Sequence, residues 1–259
     1  MTSSSASWSS NREYIHVTRD SFSYGRNNFD FTDGVALVTG VSGSLGSHVA
    51  AAFLEAGATV AGTSRSPPNE GEAAVSASDI HFYEADLTDE AAVANLVDAV
   101  LANHGRIDYL LNVAGTWAGG DSIEETDLET FEHVFDVNLK TAFLASKHAL
   151  PHIAETEGAI VNVSAKASLS GGVGDGPYRA SKAGVRLLTE TIAEEQAGTV
   201  RANAVMPSVI DTPANRDMIP NGDVEKWVDP QDIALTMLSL CSDATVATSG
   251  AAVPVFGEL

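Results

Sequence analysis

The sequence predicts a doubly wound α/β protein built on a parallel sheet of about seven strands, and three observations carry that reading. Short apolar runs rich in β-branched residues alternate with helical runs along the chain. A glycine-rich turn, Gly40-Val41-Ser42-Gly43-Ser44-Leu45-Gly46, joins the first strand run to the first helical run. At 259 residues the chain can bury one sizeable core, and open sheets of this length are commonly a single domain.

The expected strands are 35–39, 59–63, 80–85, 109–112, 159–163, 200–205 and 252–255. Runs this short and this apolar suit strands buried on both faces between helical layers. The first helical run extends from Ser47 to Ala56. After the third strand, Val93, Leu96, Val97, Val100 and Leu101 recur at helical spacing, with Thr88 or Asp89 available as the cap. Phe131, Phe135, Leu139, Ala142 and Phe143 put an apolar stripe on the helix before the fifth strand, which Pro151 is expected to interrupt. Asp229-Pro230-Gln231-Asp232 is a helix start, a capping acid before proline at the first helical position. The single cysteine, Cys241, lies on the apolar helix that follows and is expected to pack as a small hydrophobe.

Residues 1–33 read as an N-terminal extension to a single domain at 34–259. Six of the first ten residues are serine, which predicts disorder there. Tyr14, Ile15, Phe22, Tyr24, Phe29 and Phe31 suggest that the later part docks on its own domain or on a sister subunit, the alternative being an unstructured tail.

Fourteen basic against thirty-five acidic residues leave a net charge of -21. A field of that sign repels phosphate backbones and anionic headgroups, so nucleic acid and membrane partners are not expected. No apolar run approaches the roughly 18 residues of a membrane span, and no signal-peptide core opens the chain. The expected location is therefore cytoplasmic. An acid-rich, lysine-poor and alanine-rich composition resembles proteins of salt-loving organisms, where ions screen the repulsion between carboxylates.

Two features carry chemistry. Tyr178-Arg179-Ala180-Ser181-Lys182 puts a phenol and an ammonium four residues apart on one helix face. A fixed positive charge beside a tyrosine stabilises its phenolate, drawing down a pKa of about 10 and making it a usable acid and base. Ser164 follows the buried strand run Ala159-Ile160-Val161-Asn162-Val163. His148 and His152 are four apart, but no adjacent glutamate completes a zinc pattern, and no metal is expected.

Taken together, the glycine turn, Asn112-Val113-Ala114-Gly115, Ser164 and the Tyr178/Lys182 pair occur in the order of the short-chain dehydrogenase/reductase family, which the chain resembles from Gly34 to about Gly257. Asn138 in Val137-Asn138-Leu139-Lys140 matches the family's fourth catalytic position. The turn departs from the pattern usual in compact members, with Ser44 where the second glycine is expected, and Met206-Pro207-Ser208 stands where Pro-Gly is common.

The resemblance implies a Rossmann-like fold and hydride transfer between NADP(H) or NAD(H) and a small ketone, oxoacyl compound or sugar-like alcohol. Tyr178 would be the general acid/base, Lys182 would hold the nicotinamide ribose and lower the tyrosine pKa, and Ser164 would bond the substrate oxygen. Asn138 would support a water relaying protons to Lys182. Gly40, Ser42, Gly43, Ser44, Leu45 and Gly46 would cradle the pyrophosphate, and Asp86 with Leu87 would face the adenine, Asp86 reading equally as a helix-entry acid. Asn112, Ala114, Gly115, Pro207, Val209, Ile210 and Thr212 would line the rest of the cofactor cleft. A homo-oligomer, most often a tetramer, is the family's common assembly.

Cofactor choice turns on Ser64-Arg65, where an NAD enzyme would place an acid. An arginine without one favours the 2′-phosphate of NADP(H). Other readings are a lyase or epimerase that retains its nucleotide, suggested by the Gly40, Gly43, Gly46 spacing, and a nucleotide-sensing module without turnover. The loops at 116–122, 168–177 and 208–228 carry no decisive substrate motif. Trp117, Asp175 and Arg216 are candidate contacts there, and Lys166 is either a substrate contact or a solvated lysine.

Overall fold

The computed structural model describes residues 29–69 and 73–258. Tyr14, Ile15, Phe22, Tyr24 and the serine-rich start lie outside the described residues. The first half runs β1 (Val35–Thr39), α1 (Ser44–Glu55), β2 (Thr59–Ser64), β3 (His81–Glu84), α2 (Glu90–His104) and β4 (Tyr109–Asn112). Next come α3 (Leu128–Phe135) and α4 (Thr141–Glu155), joined through a π-helical turn at Asp136–Lys140. The second half continues with β5 (Ala159–Val163), α5 (Gly176–Glu195), β6 (Arg201–Pro207), α6 (Pro213–Met218), α7 (Pro230–Cys241) and β7 (Ala252–Val255).

All seven strands are parallel, in the order β3-β2-β1-β4-β5-β6-β7. The order reverses at β1, so the turn after β1 and the segment after β4 open side by side beyond the strands' carboxyl ends. In such sheets that crevice is where ligands bind. Alternation along each strand feeds two cores. Val38 and Val161 face one layer with Val49, Phe53, Ile233 and Met237 of α1 and α7. Leu37 and Ile160 face the other with Val97, Ile153 and Ile192 of α2, α4 and α5.

Helix boundaries follow local chemistry. Asp89 caps α2 by accepting from the amides of Ala91 and Ala92, and Asp229 caps α7 by accepting from Gln231. Two expectations are corrected. Helix α1 begins at Ser44, three residues before Ser47, because Gly43 stands at its N-cap with no side chain to announce the start. Helix α4 runs through Pro151 to Glu155. The proline removes one backbone donor, and Ile153, fully buried in the core, holds the last turn in place.

Phe31 is 3% exposed and packs on the rings of Phe53 and Tyr109, with centroids 5.1 and 5.0 Å away. Cys241 is buried, and desolvation lifts its thiol to about 12, which leaves it a packing group. Among the described residues no helix is long and apolar enough to cross a membrane.

Candidate active site

A cleft of about 1370 Å³ opens across the sheet's switch point. The glycine turn forms one wall. Gly40 has φ +73°, which L side chains rarely adopt, and a Cβ on Gly46 would collide with the Gly40 carbonyl oxygen. Gly43 has room for a Cβ, so its contribution is the missing side chain. With no side chain capping α1, the first-turn amides of Ser44, Leu45 and Gly46 have no helical acceptor and open on the cleft with the positive end of the helix. Donors placed this way fit a pyrophosphate. Thr39 supports the turn from below, accepting at its hydroxyl from the amides of Val113 and Ala114 and donating to the Leu111 carbonyl. That tie between β1 and β4 has no motif to betray it.

Tyr178 and Lys182 sit one turn apart near the start of α5, and both line the cleft. Lys182 is 5% exposed and its Nζ donates to the Val163 carbonyl at 2.9 Å. Burial lowers its pKa to about 8. Tyr178 does not show the expected downward shift. Burial pushes it up to about 12, with Asp175 adding to the rise and Arg179 opposing it. The lysine is aimed at the end of β5, so its charge acts on a carbonyl and leaves the phenol in its acid form.

Ser164 is 2% exposed, and its Oγ donates to the Lys182 carbonyl at 2.8 Å. Its one proton therefore binds β5 to α5, and reaching a substrate oxygen requires that bond to be given up. Asn138, in the π-helical turn, is fully engaged. Its Oδ1 accepts from the Thr116 amide at 2.8 Å, and its Nδ2 donates to the Thr116 carbonyl and to Ser181 Oγ. Gly115 is wedged beside it, since a Cβ there would lie 3.0 Å from both Asn138 Oδ1 and Lys182 Nζ. Asn138 thus fixes the loop after β4 against the lysine from outside the cleft lining.

Asn112 departs from its expected place. It is 4% exposed and turned into the layer below, donating to Ser146 and Asn162, because the pleat of β4 points it away from the cleft. Ala114, Gly115, Pro207, Val209, Ile210 and Thr212 do line the cleft, as do all of the expected turn residues. At the far end, Ser64 Oγ donates to the Ser66 carbonyl and accepts from the Ser42 amide, so its hydroxyl shapes the loop. Arg65 is exposed there, and among the described residues it has no hydrogen bond or ion pair, although its charge reaches Asp86 across the wall. Asp86 accepts from the amide and hydroxyl of Thr88, which holds its carboxyl below the usual range, and Leu87 lies beside it on the wall.

Arg179 is a residue that motif reading passes over. It pairs with Asp175 at 2.6 Å, donates to the carbonyls of Ala167 and Ser170, and lies against Gly172, where a side chain would strike its guanidinium. The i, i+4 spacing of Asp175 and Arg179 was its only signal. Trp117 lines the cleft, whereas Arg216 is held by both oxygens of Asp211.

The sequence pattern of short chain dehydrogenases matches residues 34–222. The chain belongs to the short-chain dehydrogenase/reductase family. It is 32% identical over 242 residues to a 3-oxoacyl-(acyl-carrier-protein) reductase of Thermotoga maritima, covering 87% of this chain and 97% of that one. A cis-4-hydroxycyclohexanecarboxylate dehydrogenase of Sinomonas cyclohexanicum is 32% identical over 88% of this chain and 96% of its own. Among solved structures, the ligand-free aldohexose dehydrogenase of Thermoplasma acidophilum superposes with a TM-score of 0.79 at 28% identity, covering 88% of this chain and 94% of that one. The family's members are NAD(P)(H)-using oxidoreductases of CH–OH groups, and this short-chain dehydrogenase/reductase is one of them.

Proposed function

We propose that the protein reduces a small ketone, oxoacyl or sugar-like carbonyl with NADPH, or oxidises the matching alcohol, with Tyr178 as general acid and base. The observation that carries this reading is the phenol and the buried ammonium one turn apart on the wall of a cleft whose opposite wall is an uncapped helix start. A bound nicotinamide dinucleotide would supply the hydride in reduction and take it in oxidation. Tyr178, protonated at neutral pH, gives its proton to the carbonyl oxygen as that oxygen gains charge. Lys182 places a positive charge under the site and is the donor available to the nicotinamide ribose, while Asn138 keeps Thr116 and Gly115 against it. Ser164 holds the two elements that carry these groups, and it meets the substrate only by exchanging its carbonyl partner.

NADP(H) is preferred because Arg65, at the adenosine end, has no hydrogen bond or ion pair among the described residues, and Ser64, in the position of the usual acid, has no negative charge. The stripe of Phe131, Phe135, Leu139 and Phe143 supports self-association. Phe131 and Phe143 are 42% and 47% exposed, and a shallow groove lined by Phe135, Leu139, Phe143, Gly184 and Leu188, with Asp136 and Lys140 also on its lining, includes the second of them. We assign the protein to a salt-rich cytoplasm as a homotetramer on that surface and on its charge.

The test is consumption of NADPH across a panel of ketones, oxo acids, oxo esters and sugars. The expected result is turnover of at least one class and a loss of at least about a hundredfold in Tyr178→Phe. Turnover close to wild type in that variant would remove the tyrosine from the mechanism.

A further inference from the structure

In a chain of net charge -21, a cleft-lining cation with no carboxylate partner locally reverses the field, which favours an anion there. Among the described residues, every lysine and arginine except two is paired with a carboxylate or donates to backbone carbonyls. The exceptions are Arg65 and Lys166, and both line the same cleft. Arg65 stands at the adenosine end, where the cofactor reading already employs it. Lys166 stands at the other end, on the short turn Lys166–Leu169 that follows β5, two residues past Ser164.

The surroundings of Lys166 hold it ready without neutralising it. Its Nζ lies 4.9 Å from the centroid of the Phe256 ring, a cation–π seat that orients an ammonium and leaves its hydrogen-bond donors available. Ser208 ties the Phe256 carbonyl at 2.7 Å, which fixes that seat to the end of β6. The two carboxylates on the cleft lining are otherwise engaged, Asp86 with Thr88 and Asp136 with Lys140. Asp175, the acid nearest this loop in sequence, is held by Arg179. An entering anion therefore meets, besides the buried Lys182 ammonium, an exposed ammonium with no carboxylate partner at the substrate end.

We propose that the substrate carries a carboxylate, and that Lys166 holds it while Tyr178 acts on the carbonyl. This rests on the oxidoreductase reading and narrows its substrate class to oxo acids and the matching hydroxy acids. One ammonium balances the single charge of a carboxylate, whereas a phosphate, at about -1.5 to -2, would leave charge uncompensated in an acidic protein. The carboxylate is unchanged in the reaction. The ketone carbon takes a hydride from the nicotinamide, and its oxygen takes a proton through Tyr178, giving the hydroxy acid.

The experiment compares 3-oxobutanoate, 4-oxopentanoate and 4-oxocyclohexanecarboxylate with their methyl esters at fixed salt, in the wild type, Lys166→Gln and Lys166→Glu. At least one acid is expected to exceed its ester in kcat/KM by about tenfold or more, the scale of one charge-assisted hydrogen bond. That ratio is expected to collapse toward one in Lys166→Gln through a higher KM for the acid, and to invert in Lys166→Glu. A wild-type ratio near one for every pair, or an unchanged ratio in Lys166→Gln, overturns the inference while turnover of the esters leaves the oxidoreductase reading standing. Absence of turnover with every ketone, acid or ester refutes that reading instead. In that case calorimetric titration of the same pairs into the protein loaded with NADP⁺ decides the inference separately, and equal binding of acid and ester overturns it.

Discussion

Replacing Lys182 by methionine is expected to abolish turnover and to change how stability depends on pH. The ammonium is 5% exposed, and burial brings its pKa from an ordinary 10.5 to about 8. The unfolded chain keeps the proton to higher pH than the folded one does. Between pH 8 and 10.5 unfolding therefore takes up a proton, and the wild type gains stability as pH rises through that window. That fall in pKa corresponds to about 3 kcal/mol at its limit, most of it realised between pH 7 and 10. Methionine fills similar volume and does not titrate. It also leaves the Val163 carbonyl without its donor, a cost of about 1–3 kcal/mol that is the same at every pH. The decisive readout is thus the pH dependence of the difference. Urea unfolding of both proteins at pH 7, 8, 9 and 10, at one salt and one protein concentration, should show the wild type gaining about 2 to 3 kcal/mol on the variant. A difference flat to within about 0.5 kcal/mol would refute the claim that a charged amine is buried there. Turnover above about a tenth of wild type would refute its role in the chemistry.

Three further outcomes are expected. Ser164→Ala should lower kcat by only about tenfold, well short of the Tyr178→Phe loss, because its hydroxyl is engaged with the Lys182 carbonyl; equal losses in the two variants would show that the serine works on substrate. Arg65→Ala should weaken NADPH binding about ten- to a hundredfold with little effect on NADH, measured calorimetrically, and an unchanged preference would exonerate the arginine. Melting temperature and light-scattering mass should both rise from tens of millimolar to molar potassium chloride, as the screening length falls toward about 3 Å. Phe143→Asp should hold the protein monomeric across that series, and a flat melting temperature or a tetrameric variant would contradict these readings.

The strands and helix caps were legible because they depend on neighbours in sequence. The run Ala159 to Val163 and the acids Asp89 and Asp229 name their own structures. The Tyr178/Lys182 pair was legible for the same reason, as helical spacing alone puts both on one face. What could not be read is where a polar side chain turns once the chain is packed. Ser164 finds its partner 18 residues away, Asn112 finds partners 34 and 50 away, and Ser64 accepts from Ser42, 22 residues back, and no local pattern encodes those distances. The phenol's upward shift escaped notice because spacing supplies a charge and says nothing of its direction. The start of α1 was misplaced for a related reason, since its cap works by lacking a side chain.

The packing of Phe31 has a bearing on how this chain tolerates trimming. Every motif of the cleft lies at or beyond Thr39, so a boundary drawn from chemistry falls naturally at Gly34. Yet the Phe31 ring closes the floor of the sheet against Phe53 and Tyr109, its amide donates to the Ala56 carbonyl, and its carbonyl accepts from Gly34. A chain shortened at Gly34 would keep its whole reaction apparatus while opening a hole at the opposite pole of the molecule. The loss would emerge as a shorter working life at temperature, with each surviving molecule turning over as before.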